Sequence, residues 1–531
     1  MKKILFIGIS LLAFSVYADD DVEEIVVKGK VLYSDQVNAL RTPTAIVDVP
    51  QAVSIVTDED IRKQGIRSIG DIVRYTPGVN TSQGEGHRDA VVFRGVRSTA
   101  DFFQDGARDD VQYYRSLYNV EQVEVLRGPN ALLFGRGGTG GIINRVTKKA
   151  TIGENFGSFD LGADDFGATD LAIDYNMEAG DNSAIRINAH VDALENHRDF
   201  YDGDRTGFNP TLRVELSDTT TLDLSYEYAD HERMIDRGIP TANGVPVEAL
   251  KNVVFGTSDI NITTLEADIF RGILTTDLSD TSKAVFSITS SEFEKLYQNL
   301  YASGYDLASN VVTLDGYRDP TERENLIISG NFINELEIGS STHTLLVGVE
   351  RVDTDNSNHR YDSNWSTTGK DKESFNVSRP LNIATNSAGV ATSVNFNTKL
   401  KSKTTSDIEV TSIYIQDQIE VSEDLQILIG GRLDQFDITV DDIKAGTSQS
   451  REDDEFSPRA GIIYKPSEDM SWYFSYSESF LPRSGEQYKK LTASSAALDP
   501  DVYENMEIGI NYDIRPNLSL RASYFDNEQT I

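Results

Sequence analysis

Two runs in the first quarter of the chain place aromatic rings beside cations. One is Gly84-Glu85-Gly86-His87-Arg88, a flexible polar segment. The other is Ala107-Arg108-Asp109-Asp110-Val111-Gln112-Tyr113-Tyr114-Arg115. Rings offer surface to flat, delocalised ligands, and guanidinium groups make charge-assisted hydrogen bonds to anionic oxygens. The competing reading has Tyr113 and Tyr114 packing against neighbouring structure while the arginines pair with Asp109 and Asp110. Phe102, Phe103, Arg94 and Arg127 read as structural. Bond-making chemistry finds little support. With no cysteine there is no thiol nucleophile, Cys–zinc site or disulfide, and no paired-carboxylate or nucleophile–base constellation stands out. His231 and Glu232 are adjacent on an extended chain, so they point to opposite faces and do not converge on one metal ion. His190, His197 and His343 are isolated.

Both runs must be positioned by the stretch C-terminal to them. Glu121–Lys149 opens on the alternating Val123 and Val125, breaks at Gly128-Pro129, and passes through Ala131-Leu132-Leu133-Phe134. It then meets Gly135, Gly137, Gly138, Gly140 and Gly141 and closes on Ile142–Thr147. Glycine at that density permits positive φ and close backbone approach, which suits a compact unit wedged inside a larger one. A phosphate-cradling loop does not fit, because Lys148 follows Thr147 at the far end of a strand and no helix opens after the glycines.

Composition divides the chain. The net charge is −36, which argues against nucleic acid as a partner, since phosphate neutralisation needs a basic face. Residues 19–150 hold 17 Lys+Arg against 19 Asp+Glu, so 151–531 carry the acidity, and 12 of those 17 cations are arginines. No apolar run after residue 20 is long enough for a spanning helix, which leaves a membrane β-barrel open.

In chain order, residues 1–18 read as an export signal: Lys2 and Lys3, an apolar run from Ile4 to Val16, then Val16-Tyr17-Ala18. A membrane anchor would need a longer run. Residues 19–40 include Glu23-Glu24-Ile25-Val26-Val27, an apolar strand among acids that suits either an edge strand or a peptide offered for strand addition to a partner. Residues 41–150 read as a small α/β unit. Val49–Thr57 is a strand, Thr57 or Asp58 caps a helix ending at Gly65, and Ile69, Ile72, Val73 and Tyr75 mark a second helix before Pro77-Gly78. From about residue 155 the period becomes two: Ile185, Ile187, Ala189 and Val191 alternate with Arg186, Asn188, His190 and Asp192, and Trp472, Phe474 and Tyr476 alternate with Tyr473, Ser475 and Ser477. Segments of about ten residues with one apolar and one polar face suit a membrane barrel with a wet interior better than a sandwich. Short turns such as Val421–Asp424 alternate with long polar connections such as Asp230–Asn261 and Asp353–Ser406.

LRGPNALLFGRGGTGGIINRVTK, with VPQAVSIVT and RYTPGVN before it, resembles the plug domain of TonB-dependent outer-membrane siderophore receptors of the catecholate type. EEIVV resembles the TonB box of that family, and DRGIP at 236–240 resembles the start of one of its loops. The resemblance covers residues 22–531. It implies a mainly β fold, a transmembrane antiparallel barrel over 151–531 plugged by the α/β domain 41–150, in the outer membrane of a Gram-negative bacterium with the N-terminus periplasmic. It implies active import, not enzymology. Glu23, Glu24, Ile25, Val26 and Val27 would bind TonB, coupled to its inner-membrane energising complex and the proton gradient. Arg88, Tyr113, Tyr114 and Arg115 would contact a ferric siderophore, with iron carried as the chelate and no cofactor or metal bound by the protein itself. Outer-membrane lipid and lipopolysaccharide are the remaining expected partners, divalent ions linking acidic loops to lipopolysaccharide phosphates. Haem, cobalamin or a glycan is the alternative cargo, and a passive porin or adhesin the alternative class. About 15 candidate strands can be counted, whereas plugged transporters close at 22. The expectation is therefore a barrel truncated at its C-terminus by roughly seven strands, with a closed 14- or 16-strand barrel as the other possibility.

Overall fold

The structure, a computed structural model, describes residues 36–37, 40–41, 44–82 and 84–530. The export signal and the Glu23–Val27 run lie outside the described residues.

One sheet dominates. Fifteen strands, from Phe156–Ala163 to Leu518–Thr530, follow one another in sequence order, each antiparallel to the next. A short segment of an outer loop, Glu373–Asn376, pairs with Val311–Leu314 as an addition to that sheet. Among the described residues the first and last strands do not pair with each other. Side chains obey the two-residue alternation. Arg186, Asn188 and His190 point inward and are buried, while Phe286, Ile288, Val349, Ile413 and Ile415 are exposed on the outside. Apolar side chains facing out and polar ones facing in are what lipid on one side and water on the other demand.

At one end the strands are joined by two-residue turns, among them Asp181-Asn182, Asp218-Thr219 and Glu423-Asp424. At the other end lie the connections 235–261, 363–399 and 482–500. The strands are longer than their alternation suggests. Ser282–Asp306 has 25 residues and Val311–Ile338 has 28, where a tilted strand crosses a bilayer in about 9–11. Likewise Ser341–Asp362 and Leu400–Ser422 take up the two ends of the stretch read as a long loop from Asp353 to Ser406, and leave 363–399 as the connection. Above the bilayer both faces meet water, so ladder hydrogen bonds continue without the apolar alternation that betrays a strand.

The plug fills the barrel. Its main sheet runs Val53–Thr57, Val120–Arg127, Gly141–Thr147, Phe102–Gln104, Ala107–Arg108, and within it Gly141–Thr147 and Phe102–Gln104 pair in parallel. Helix α1 (Asp58–Gln64) starts where Thr57 accepts from the Asp60 amide and Asp60 accepts from the Thr57 amide, and it stops at Gly65 with φ 63°. Helix α2 (Ile69–Arg74) is capped by Ser68, which accepts from the Asp71 amide. Both lay isoleucines and Val73 on Phe93, Val123, Val125 and Ile143, each such burial contributing about 1.5–3 kcal/mol. The glycine run has a local cause. A Cβ at Gly141, where φ is +151°, would lie 2.4 Å from the Leu126 carbonyl oxygen of the neighbouring strand. Only glycine admits that approach.

Candidate ligand-binding chamber

The plug loop Gly84–Arg88 rises to the long-loop end, where it is clasped by the barrel. Glu85 has φ 58°, between Gly84 and Gly86, both also at positive φ. A Cβ on Gly86 would sit 2.7 Å from the Asp236 carbonyl oxygen, so loop and wall are in backbone contact. The Tyr297 hydroxyl donates to the Glu85 carbonyl at 2.8 Å and the Tyr317 hydroxyl to its carboxylate at 2.9 Å. Arg88 donates to the same carboxylate at 2.8 Å, and Arg237 approaches it at 3.5 Å. Burial pushes the Glu85 carboxyl up, but Arg88, Arg237 and the Tyr317 bond together hold it below its ordinary value. The His87 ring stacks on Tyr297 with centroids 3.5 Å apart. Burial, reinforced by Lys295, Arg88, Arg233 and Lys489, drives His87 well below the usual histidine range, so it is neutral.

Of the four residues expected to touch a ligand, the structure leaves two partly exposed. Arg88 lies in the plug loop, its side chain 11% exposed and its buried Nε unpartnered among the described residues. Tyr114 is half-buried, with the Arg233 guanidinium 3.8 Å from its ring centre. Arg115 and Tyr113 are placed differently from the sequence expectation. The Arg115 side chain is wholly buried. It donates through Nε to Asp109 at 2.8 Å, and through Nη2 to the carbonyls of Asp109 and Val111 at 2.7 and 2.8 Å. It also reaches Asp89 at 3.4 Å. The Tyr113 hydroxyl donates to Asp109 at 2.8 Å, and its ring packs on Phe293, Leu265 and Ile269 of the wall. Burial raises the Asp109 carboxyl, yet Arg115 and Arg145 outweigh it and the group stays charged. These two residues organise the plug, as the competing reading of the sequence had it. Arg94 and Arg127 are structural as read. Arg94 meets buried Glu507 of the barrel at 2.6 Å. Arg127 donates to Ser54 and to the Pro77 carbonyl, both at 3.0 Å.

Several participants carried no sequence signal. The loop 482–500 folds inward onto the plug: Tyr488 donates to Asp110 at 2.9 Å and accepts from Arg136 at 2.6 Å, while Gln487 donates to the Asp110 carbonyl at 2.8 Å. Arg323 of the wall completes an ion pair with Asp110, and Arg360 one with Asp319. Lys295, Lys489 and Arg233 join the same neighbourhood. Rings and cations thus gather around His87, where the plug loop meets the long-loop end of the barrel wall. No group of three or more His, Asp or Glu suited to a metal ion occurs among the described residues.

A plug inside a barrel with short turns at one end and long loops at the other is the architecture of an outer-membrane barrel protein. Residues 207–530 match the TonB dependent receptor-like β-barrel family and residues 45–142 the TonB-dependent receptor plug domain, so the chain belongs to the TonB-dependent receptors. This is a family of receptors and transporters, and the protein is not an enzyme. The probable TonB-dependent siderophore receptor PiuA of Acinetobacter baumannii is 26% identical, over 98% of this chain and 75% of its own length. The ferrioxamine B receptor of Salmonella typhimurium is also 26% identical, over 90% of this chain and 67% of its own. Among solved structures, the ferric-catecholate import receptor Fiu of E. coli in its closed form aligns with a TM-score of 0.81 at 19% identity, covering 94% of this chain and 76% of that one.

Proposed function

We propose that the protein is an outer-membrane receptor that captures ferric siderophores of the catecholate type and imports them with energy delivered through TonB. The observation that carries the reading is the cluster of Arg88 and Tyr114 on the plug, with the Arg233 guanidinium over the Tyr114 ring, at the long-loop end of a plugged barrel. Aromatic faces and guanidinium donors match catecholate rings and their oxygens. The named relatives bind iron chelates of more than one chemistry, which supports the siderophore class more broadly than the catecholate choice. On this reading Glu23–Val27 adds as a strand to periplasmic TonB, and displacement of part of the plug opens the path. The acidic outer surface meets lipopolysaccharide through divalent ions, so a chelator should lower the melting temperature of the barrel in its native membrane.

The test is uptake of radiolabelled iron, on a catecholate and on a hydroxamate chelate, by receptor-deficient iron-starved cells carrying the full-length gene. Val26→Pro removes a backbone donor from the strand offered to TonB. Loss of uptake with surface binding retained supports the reading; uptake indifferent to the proline and to collapse of the proton gradient would sink it in favour of a passive pore.

A further inference from the structure

Two cavities lie one below the other between the plug and a single stretch of wall, made by Ile262–Ser279, Ser282–Asp306 and Val311–Ile338. The upper one, of about 260 Å³, is bounded by Gly106, Ala107 and Asn144 of the plug and by inward Ser287, Ile327 and Ser329 of the wall. The lower one, of about 750 Å³, is bounded by Ile333 and Glu335 and reaches the turn Asp280-Thr281 at the short-turn end. Along Val311–Ile338 the inward positions pass from Ile327, Ser329 and Asn331 in the upper cavity to Ile333 and Glu335 in the lower, at about 6.8 Å per step. The cavities therefore abut, and Arg41 stands at the join. Its φ is 63°. It donates to the Tyr414 hydroxyl at 2.7 Å, to the plug's Leu133 carbonyl at 2.9 Å, and to Glu350 of the wall at 3.2 Å. At the outer end Ala107 packs on the apolar cluster that holds Ile327. Farther round the sheet the plug is held more firmly. Asp48 meets Lys465 at 2.6 Å, Arg94 meets Glu507 at 2.6 Å, and the Gly137 amide donates to the Phe480 carbonyl at 2.8 Å.

Parting the plug from the firmly held side would break the buried Arg94–Glu507 pair and leave a charge uncompensated, which is costly. Arg41 can leave its place without doing so, because its acceptors on the wall keep other donors. Glu350 still has Arg432 at 2.7 Å, and Asn331 still accepts from the Tyr414 hydroxyl at 2.5 Å. Below the join, Asp280, Glu335 and Glu420 line the lower cavity and offer a withdrawn guanidinium new partners. A pull on Glu23–Val27 also runs up the chain to Arg41 before it reaches Val53–Thr57, the first strand of the plug's main sheet. We propose that the cargo's passage opens along this wall, by fusion of the two cavities, with Arg41 as the inner gate and the plug staying fixed on its other side. This rests on the import reading above and names where its passage runs. The upper cavity is smaller than the roughly 300–1,000 Å³ of a pocket for a drug-sized ligand, so plug and wall must separate at Ala107 and Arg41 for a chelate to pass.

The chain has no cysteine, so engineered pairs can be joined selectively by a short cleavable thiol crosslinker. In cells carrying the full-length gene, joining Ala107→Cys to Ile327→Cys should abolish uptake of the radiolabelled ferric chelates while surface binding persists, and cleavage should restore it. Joining Asp48→Cys to Lys465→Cys should leave uptake intact. Uptake blocked by both tethers, by neither, or by the second alone overturns the assignment of the wall. A second measurement needs no chelate. In purified receptor, Arg41→Gln should speed maleimide labelling of Ser329→Cys in the upper cavity by about tenfold or more, with Arg41→Lys intermediate. Labelling of Gln51→Cys, on the firmly held side, should not change. An unchanged rate at Ser329→Cys, or an equal rise at both cysteines, overturns the gate. Wild-type cells that bind neither chelate remove the siderophore reading itself, and the labelling result then judges the gate alone.

Discussion

Arg115 shows how a residue of the right type in the right stretch can be spent on architecture. Its guanidinium answers Asp89, Asp109 and two carbonyls at once, so Arg115→Ala leaves buried carboxylates uncompensated and should destabilise the plug by about 3–5 kcal/mol. Limited proteolysis should show the plug cut while barrel mobility on unheated gels is unchanged. Glu486 makes a pH-dependent contact. It accepts from Thr99 Oγ1 at 2.7 Å, and burial, with Asp101 nearby, raises its carboxyl above the ordinary 4.5. A raised carboxyl favours the protonated folded state, so this stabilisation is present below 4.5 and is lost as pH rises through the elevated value. Melting of the wild type should fall between acidic and neutral pH more steeply than that of Glu486→Gln. The cations gathered around His87 show where residue-level reading runs out. Lys295 lies at an inward position of its strand, opposite in parity to the outward Phe286 and Ile288, and that parity was its one signal. Aromatic Phe293 and Tyr297 share the inward face and blur it. Lys489 has no local signal at all, because only the inward fold of 482–500 gives it a role.

At the scale of elements, local causes were legible and long-range ones were not. The Thr57 cap and the Gly65 stop of α1 follow from a few adjacent residues, and the structure has both. Barrel alternation was readable wherever lipid lies on one side. It failed above the bilayer, where Asp353–Asp362 is strand although it reads as polar connection. The glycines of 135–141 were recognisable as a demand for close approach, but not what approaches. The structure supplies Leu126 and Phe93 at Gly141. Gly141→Ala must therefore separate two strands of the plug sheet or shift the Phe93 ring, at a cost of about 1–3 kcal/mol. Hydrogen exchange should show lost protection across Val120–Arg127 and Gly141–Thr147, with the barrel amides unaffected.

For the whole molecule, the division seen in composition becomes a spatial one. The sequence points to Arg88 and Arg115 as the plug cations for an anionic ligand, yet Arg115 is consumed internally, like Arg94 and Arg127, which read as structural. Residues 151–531 bear all of the −36. On the catecholate reading proposed above, an approaching trianion therefore meets repulsion at long range, from that acidity, and attraction at short range, from Arg88 and from Arg233 beside Tyr114. Ions in solution screen the first beyond a Debye length of about 8–10 Å and weaken the second at contact. The two act on different steps, encounter and residence. Raising ionic strength should speed association and also speed dissociation, the reverse of the slowed encounter typical of oppositely charged partners. Stopped-flow measurements of both rate constants against salt would reveal a barrier placed ahead of the well.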